Sequence, residues 1–436
     1  MRKTTRRGTK SRCVPRCRSD VLIREQSMNP LSSAHTAPYS RAARQAGASQ
    51  GAVLLLGSSL TVMGAVMIAP ILPKLAADFV PANPRLAALV PLVATGPALA
   101  IALCAPLAGW LADRVGRKML LLLATLVYGL VGAAPAWLDS FTAILVCRFA
   151  LGAAEACVMT CCTTLIGDYW HGEQRVRYVN RQVVTIGVVG TIFFVLGGAA
   201  GEHAWRYPFY LYLLPILLIP AIAALLWEPL RHGRPAEPGD GGTPLSGGKL
   251  ASTLAIGYLL ICVGMVSSFV VPVQMPQLMI DIGQHSSTMI GAVSGIGLLS
   301  TLAGSIAWPW LRDSLGRRFV NVALLVLLAV GLYLLASANT VPAIVVAVVI
   351  HGFGGGMLVP NAILPLMRRL SLAIRGRALG GFTAALYLGQ FLSPLVVLGC
   401  AQAFGGLRPA IVSIASGTAA TALLWLLPAF RSRGDD

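Results

Sequence analysis

Apolar runs of about 20 residues recur along the chain, separated by short breaks that are basic or rich in proline and glycine. A run of about 20 apolar residues is long enough to cross the hydrocarbon core of a bilayer as a helix. The twelve runs lie near 51–72, 86–111, 119–138, 141–167, 180–201, 207–227, 251–273, 288–311, 319–338, 341–367, 378–402 and 408–428. The pattern therefore predicts an all-α membrane protein with twelve transmembrane helices.

The two halves of the chain repeat each other with an offset of 200 residues. The segment GWLADRVGRK at 109–118 corresponds to PWLRDSLGRR at 309–318, and the runs that start at 51, 119 and 141 have partners 200 residues later. A parallel repeat predicts two six-helix halves related by an axis along the membrane normal. The expected domains are a tail over 1–50, a first half over 51–228, a linker over 229–250 and a second half over 251–430.

Composition excludes a soluble domain. Hydrophobic residues make up 56% of the chain and charged residues 11%, with a mean hydropathy of +0.74. A soluble domain carries about 25% charged residues, so this chain has too few to cover a water-facing surface. The net charge of +18 does not indicate nucleic-acid binding, because the basic residues lie in the tail and in short loops rather than on one polar domain.

The distribution of basic residues predicts the topology. With the N-terminus inside, 29 Lys and Arg residues face the cytoplasm, whereas only Lys74, Arg85, Arg206 and Arg408 lie outside. Basic loops are retained on the cytoplasmic side, so we predict cytoplasmic termini and a location in the inner (cytoplasmic) membrane. The basic tail has no apolar segment typical of a signal peptide, and we expect it to be a disordered cytoplasmic extension.

The nine cysteines do not indicate a disulfide or a metal site. Most lie in or near apolar runs, where cysteine behaves as a small hydrophobic residue. Cys157 and Cys161 share a helix face, but no histidine or third thiol follows at ligand spacing. We find no nucleotide-binding loop of the P-loop kind. We therefore predict neither a metal nor a cofactor, and an ion or solute gradient as the source of energy.

Several segments resemble those of the major facilitator superfamily. GWLADRVGRK resembles the family's loop motif, and its degenerate second copy lies where the family places it. The segment RFALGAAE from Arg148 and LIGDYW at 165–170 are similar to a second conserved segment, and LGQFLSP at 388–394 resembles the eleventh span of arabinose-efflux-like and drug-exporter-like members. The resemblance covers about 51–430. It implies a secondary transporter with a small-molecule substrate.

The same resemblance implies that the loop motif forms a conformational latch. Asp113 can face a helix N-terminus, where the helix dipole favours an anion, and the neighbouring basic residues can pair with Asp168. Glycines in the motif allow a tight turn and a close approach of helix ends. The alternative is that the basic residues only set the topology. The candidate latch residues are Gly109, Asp113, Arg114, Gly116, Arg117, Lys118, Asp168, Asp313, Gly316 and Arg317.

Three ionisable residues lie well inside the predicted spans, away from their ends, namely Arg148, Glu155 and His351. A charged residue at a helix centre costs about 2.5–3.5 kcal/mol on insertion scales, and such residues usually mark substrate or proton pathways. Arg148 and Glu155 are about 10.5 Å apart along one helix axis, too far for a relaxed ion pair. Each is expected to be completed by water, by substrate or by another helix. The alternative is a purely structural role.

Neutral polar residues within the spans are candidates for lining a central cavity: Thr61, Gln274, Gln277, Asn361 and Gln390. Each of them can equally join two helices through a hydrogen bond. The sequence therefore leaves substrate contact and helix packing as two open interpretations for this group.

These features together predict a monomeric, proton-coupled exporter in which two halves move about a midplane cavity. Glu155 exchanges the proton and Arg148 sets its charge balance. The nearest alternative is a symporter that imports a sugar or an organic anion, with Arg148 binding the anion. A membrane-embedded enzyme is less consistent with the sequence, because we find no catalytic cluster. A sensor is disfavoured by the lack of a soluble output domain.

Overall fold

The computed structural model describes residues 46–229, 248–369 and 372–425. For 248–253, 317–318, 365–369 and 372–376 it describes the backbone only. Most of the predicted tail and linker, and the side chain of Arg317, therefore lie outside the described residues.

Twelve helices in the described ranges are long and apolar enough to cross a membrane, and these ranges contain no strand. The helices are α1 (Ala48–Phe79), α2 (Leu92–Val115), α3 (Arg117–Trp137), α4 (Phe141–Tyr169), α5 (Gly172–Ala200), α6 (Tyr207–Leu225), α7 (Leu254–Asp281), α8 (Ser287–Gly316), α9 (Phe319–Ser337), α10 (Val341–Leu364), α11 (Arg377–Phe404) and α12 (Leu407–Trp425). The predicted all-α fold of twelve transmembrane helices is confirmed.

Three helix boundaries differ from the prediction by seven or eight residues, and one of them is the end of α7, which lies at Asp281 rather than near 273. Helix α1 continues past 72 through a short 3₁₀ turn at Ala69–Ile71 and a further segment at Leu72–Phe79. Pro70 and Pro73 stand in the first turns of these two segments, where a helix needs no N–H donor. Lys74 and Asp78, expected in a loop, therefore lie on the end of α1. Helix α5 begins at Gly172 rather than near 180. Its first turns are helical but polar, so the apolar run that predicted the span begins later than the helix does.

The repeat is visible in matching turns. Gly116 separates α2 from α3 with a φ of +96°, and Gly316 separates α8 from α9 with a φ of +74°. Only glycine adopts such angles without strain. We call the end of the bundle that carries these two turns the motif end, and the opposite end, which carries the α5–α6 loop, the far end.

The far end shows the repeat in its hydrogen bonds. Arg206, just before α6, donates from Nη1 to the carbonyl oxygens of Ala136 (3.3 Å) and Leu138 (3.0 Å) at the end of α3. Arg408, at the start of α12, makes the matching pair of bonds to the end of α9, each 2.9 Å long. Two halves with the same internal connections confirm the parallel repeat.

The halves pack against each other through α5 and α8. A Cβ added to Gly198 would lie 3.1 Å from the Cα of Gly291 near the far end, and one added to Gly187 would lie 3.0 Å from Leu302 in the middle. One turn further towards the motif end, Val183 is exposed. The close contacts of α5 with α8 therefore lie at the far end and in the middle, whereas Val183 nearer the motif end is uncovered.

Candidate functional site

Arg148 lies fully buried in α4 and joins four helices of the first half. Its Nε donates to the carbonyl oxygen of Val93 on α2 (2.7 Å), and its Nη1 donates to the hydroxyl of Tyr212 on α6 (3.0 Å). Its Nη2 donates to the carbonyl oxygen of Gly64 on α1. Each nitrogen of the guanidinium is thus engaged by another helix.

Glu155 lies on the same helix and is 2% exposed. Its carboxyl group fits against Gly64, where an added Cβ would lie 2.7 Å from Oε2. Within the part of the chain that the structure describes, this buried Oε2 has no hydrogen-bond partner. An unpaired buried polar atom is costly. In the predicted pair, each nitrogen of the Arg148 guanidinium is therefore hydrogen-bonded, whereas the carboxyl group of Glu155 has an oxygen without a hydrogen-bond partner among the described residues.

Two tyrosines bind the part of α1 against which this carboxyl group packs. Tyr128 and Tyr212 donate to carbonyl oxygens of α1, the first to Leu60 and the second to Gly64, each at 2.9 Å. Their ring centroids are 5.8 Å apart. They tie α3 and α6 to α1 and hold the backbone against which Glu155 packs.

A third tyrosine comes from the second half. Tyr387 on α11 donates its hydroxyl to the sulfur of Met159 on α4 (3.4 Å), one turn from Glu155. Its ring packs with the buried residues Ile101, Ala108 and Ala156 of α2 and α4. The acid therefore lies close to a contact between the two halves.

His351 belongs to a hydrogen-bonded group within the second half. It is buried in α10, and its Nε2 lies 3.3 Å from the carbonyl oxygen of Ser267 on α7. The hydroxyl groups of Ser267 and Thr418 on α12 lie 2.9 Å apart. His351 thus helps to join three helices.

The predicted cavity residues fall into different environments. Gln274 and Gln390 are buried, and the hydroxyl of Thr61 is satisfied by the carbonyl oxygen of Ser58 on its own helix (2.8 Å). Gln277 is exposed near the far end and donates to Asp281 (3.0 Å). Thr61 and Gln277 thus make hydrogen bonds within their own helices in this conformation.

Asn361 forms part of an amide network in the second half. It donates to Asn321 on α9 and accepts a hydrogen bond from the indole of Trp308 on α8 (3.3 Å). The two asparagines also line a small cavity together with apolar residues of α7, α9 and α10. The contacts of Asn361 therefore agree with the helix-joining alternative.

At the motif end, the predicted partners Arg117 and Asp168 form an ion pair. Asp113 lies further from Arg117, at 3.9 Å, and 75% of its side chain is exposed. Arg114 lies over the ring of Trp110, 4.2 Å from its centroid. Among the described residues, the ion pair of Asp113 is this long one with Arg117, and the ion pair of Arg117 with Asp168 stays within the first half.

Other latch candidates make few contacts. A Cβ added to Gly109 would meet no described atom within 4 Å, so the part of the chain that the structure describes does not show the expected close approach at this glycine. Asp313, the repeat partner of Asp113, is exposed. The tight turns expected at Gly116 and Gly316 are present in both halves.

Sequence reasoning missed Glu228, which completes the start of α3. Its two carboxylate oxygens accept the backbone N–H groups of Arg117 (2.8 Å) and Lys118 (2.9 Å). The ammonium of Lys118 donates to the carbonyl oxygen of Ala223 (2.7 Å). A carboxylate at a helix N-terminus is stabilised by the free N–H groups and by the helix dipole. The signal in the sequence was an acid that directly follows the sixth apolar run.

Sequence reasoning also missed a contact between the halves at the far end. Glu202 follows α5, and its Oε2 accepts hydrogen bonds from the backbone N–H (2.8 Å) and hydroxyl (2.9 Å) of Thr288 and from the hydroxyl of Ser286 (3.1 Å). The bond from the Thr288 N–H is the largest influence that lowers the pKa of Glu202. Lys74 on α1 donates to the carbonyl oxygens of Gly201 (2.9 Å) and Glu202 (2.5 Å).

Comparisons with known proteins identify the family. The family model described as Major Facilitator Superfamily matches residues 54–273 and 257–435. A cis,cis-muconate transport protein of Acinetobacter baylyi is 24% identical over 66% of this chain and 73% of its own length. A class C tetracycline resistance protein of Escherichia coli is 26% identical over 79% of this chain and 88% of its own length.

A solved structure shows the same fold. The inward open xylose transporter XylE from E. coli superposes with a TM-score of 0.70 and 16% identity, over 88% of this chain and 97% of that one. At so low a sequence identity, the similarity shows the fold alone. The family match covers both halves that the repeat and the hydrogen bonds define. This chain belongs to the major facilitator superfamily and is a multi-pass membrane transporter.

Proposed function

We propose that this chain exports a small organic molecule across the cytoplasmic membrane in exchange for protons, as a monomer of the drug-exporter-like branch. The motif end and both termini face the cytoplasm, and the halves correspond to 51–228 and 251–430. The observation that carries the proposal is the Glu155 carboxyl group, which is buried close to a contact between the halves and has an oxygen without a hydrogen-bond partner among the described residues.

Proton exchange at Glu155 follows from its access to water. A carboxylate without compensation is costly in an apolar interior, so the proton is held while the site is dry and released when the site is open to water. Movement of one half against the other changes that access. The movement of a proton is thereby linked to the side of the membrane on which the substrate site opens.

Arg148 supports this arrangement rather than binding an anion. Each of its three nitrogens already donates to α1, α2 or α6, so an anionic substrate would have to displace hydrogen bonds that hold four helices together. This weighs against the import of an organic anion through Arg148. The resistance protein among the relatives supports export, whereas the name of the muconate transport protein keeps organic acids among the substrates to test.

Replacing Glu155 with glutamine tests the proposal, because glutamine resembles the protonated acid in size and charge. The wild-type protein should lower cellular accumulation of at least one compound in a substrate panel, and a protonophore should abolish the effect. The Glu155→Gln variant should lose this uphill export but keep downhill exchange. The matched control is Glu173→Gln, which changes an exposed acid at the motif end.

The same assay has a clear opposite result. If the Glu155→Gln variant still expels substrate against its gradient, and a protonophore still collapses that gradient, Glu155 is not the coupling group. His351 is then the next residue to test. Accumulation that rises with wild-type expression would instead establish import.

A further inference from the structure

Tyr387 connects the two halves between their membrane-spanning helices. It belongs to α11, but its partly buried ring packs against the buried apolar residues Ile101, Ala108 and Ala156 of α2 and α4, which we call the pocket on α2 and α4. Its hydroxyl crosses the interface and donates to the sulfur of Met159 at 3.4 Å. A side chain of one half thus fills a site built by the other.

This pocket is adjacent to the proposed coupling group. Met159 follows Glu155 by four residues on α4, a spacing that places both side chains on the same helix face. Tyr387 contacts α4 through Met159 and through the cluster that contains Ala156, the residue next to Glu155. On another side, the carboxyl group rests against Gly64 of α1. Glu155 therefore packs against its own half and lies beside a contact with a tyrosine of the other half.

The two kinds of neighbour respond differently when the halves move. Gly64 and Tyr212 belong to the first half and are joined to each other and to Arg148 by hydrogen bonds. Tyr128 donates to the carbonyl oxygen of Leu60 on the helix that carries Gly64, so these residues move together with Glu155. Tyr387 belongs to the second half and is withdrawn when the halves separate at this level. Its position is thus a direct consequence of the conformation of the transporter.

We propose that Tyr387 is a positioning residue that closes water access to Glu155 while its ring occupies the pocket on α2 and α4. This inference rests on the proposed proton exchange at Glu155 and names the residue through which the conformation controls it. The aromatic ring provides the closure by filling the pocket. The hydroxyl adds a single weak hydrogen bond to sulfur.

Chemical modification of Glu155 tests this role without a known substrate. The full-length protein in lipid nanodiscs is treated with a water-soluble carbodiimide and an amine, and modified Glu155 is quantified by mass spectrometry. Tyr387→Ala should raise the rate of modification about tenfold, because the closure that excludes water is removed. Tyr387→Phe keeps the ring and should restore a rate close to that of the wild type. Tyr333→Ala, at an exposed tyrosine of α9, is the matched control.

Two further measurements separate closure from misfolding. A membrane-soluble carbodiimide should modify Glu155 at the same rate in every folded variant, since it does not need a path through water. Tyr387→Leu keeps an apolar side chain and should give an intermediate rate with the water-soluble reagent. An unchanged rate in both Tyr387→Ala and Tyr387→Leu, with the membrane-soluble reaction intact, overturns the proposal for Tyr387.

The outcome is independent of the proposed export. If the wild type shows no proton-driven transport but Tyr387→Ala still exposes Glu155, the closure by Tyr387 holds and the proposed function fails. If export depends on Glu155 but the modification rates do not depend on Tyr387, the proposed function holds and the role of Tyr387 fails.

Discussion

Replacing Glu202 with alanine removes all three hydrogen bonds that its carboxylate accepts from the start of α8. The bonds from Lys74 remain possible, because they go to backbone carbonyl oxygens. The change therefore weakens the contact between the halves at the far end and leaves the link between α1 and α5 in place. We expect the far end to open more often.

The size of the effect follows from the three bonds. A buried hydrogen bond to a charged group contributes about 1.5–3 kcal/mol. Because Glu202 is only partly buried, we take about 0.5–1 kcal/mol for each bond and about 1.5–3 kcal/mol for the set. A loss of that size changes the equilibrium between closed and open far ends about 10- to 150-fold. Glu202→Gln keeps a neutral acceptor and should have a smaller effect.

Distance measurements between spin labels give the readout. The reporter sites are His203→Cys and His285→Cys, which are exposed and lie beside Glu202 and Ser286 in the two halves, in a background without the nine native cysteines. Double electron–electron resonance should show a longer distance gaining population in Glu202→Ala. Glu173→Ala, at the motif end, should leave the distances unchanged. Identical distributions with and without Glu202 would refute a closing role for this contact.

The pKa of Glu202 sets the pH range of this contact. Since its hydrogen bonds lower that pKa, the contact is complete above the ordinary carboxyl range and is lost only as the pH falls through the lowered value. We therefore expect the same distance distribution from about pH 8 to about pH 5. Opening within that range would mean that another group controls the far end.

Three other changes test separate parts of the structure. The lysine in Arg148→Lys cannot make the three hydrogen bonds that Arg148 donates to three helices. The free energy of unfolding should fall by about 1–3 kcal/mol, measured as a lower Tm in detergent. An unchanged Tm would contradict the role of Arg148 in joining these helices. Asp113→Asn should leave Tm unchanged, because the Asp113 side chain is 75% exposed. It should reduce transport more than Asp313→Asn does. If both variants transport as well as the wild type, the motif has a role in topology only. An alkaline phosphatase fused after Asp436 should be inactive, and an active fusion would reject cytoplasmic termini.

The sequence was sufficient for the parts of the fold that depend on local pattern. Twelve apolar runs predicted twelve helices, and glycines at equivalent repeat positions predicted the turns at Gly116 and Gly316. The end of α1 was placed too early, since two prolines and a charge indicated a loop. Prolines in the first turn of a new helical segment do not end a helix, and the structure uses both in that way.

The sequence predicted site residues only where a single residue is unusual in its own segment. Arg148 and Glu155 were found because a charge within an apolar run is unusual, and Asp168 because it is an acid near basic loops. Tyr387 and Glu202 were not found. Tyr387 lies 228 positions from Met159 and Glu202 lies 86 positions from Thr288, so only the packing of distant helices reveals their contacts.

The cross-half contacts are arranged unevenly along the membrane normal, and this constrains the transport cycle. Glu202 joins the halves at the far end and Tyr387 joins them in the middle, whereas Asp113 at the motif end is exposed. Opening the far end must break the first contact and shift the second, and we propose that the latch at Asp113 gains a partner when the motif end closes. The two end contacts therefore favour opposite conformations. A transporter must populate both conformations, so the free energies of the two conformations have to lie within a few kcal/mol of each other. Strengthening either end contact should therefore slow the cycle as much as removing that contact.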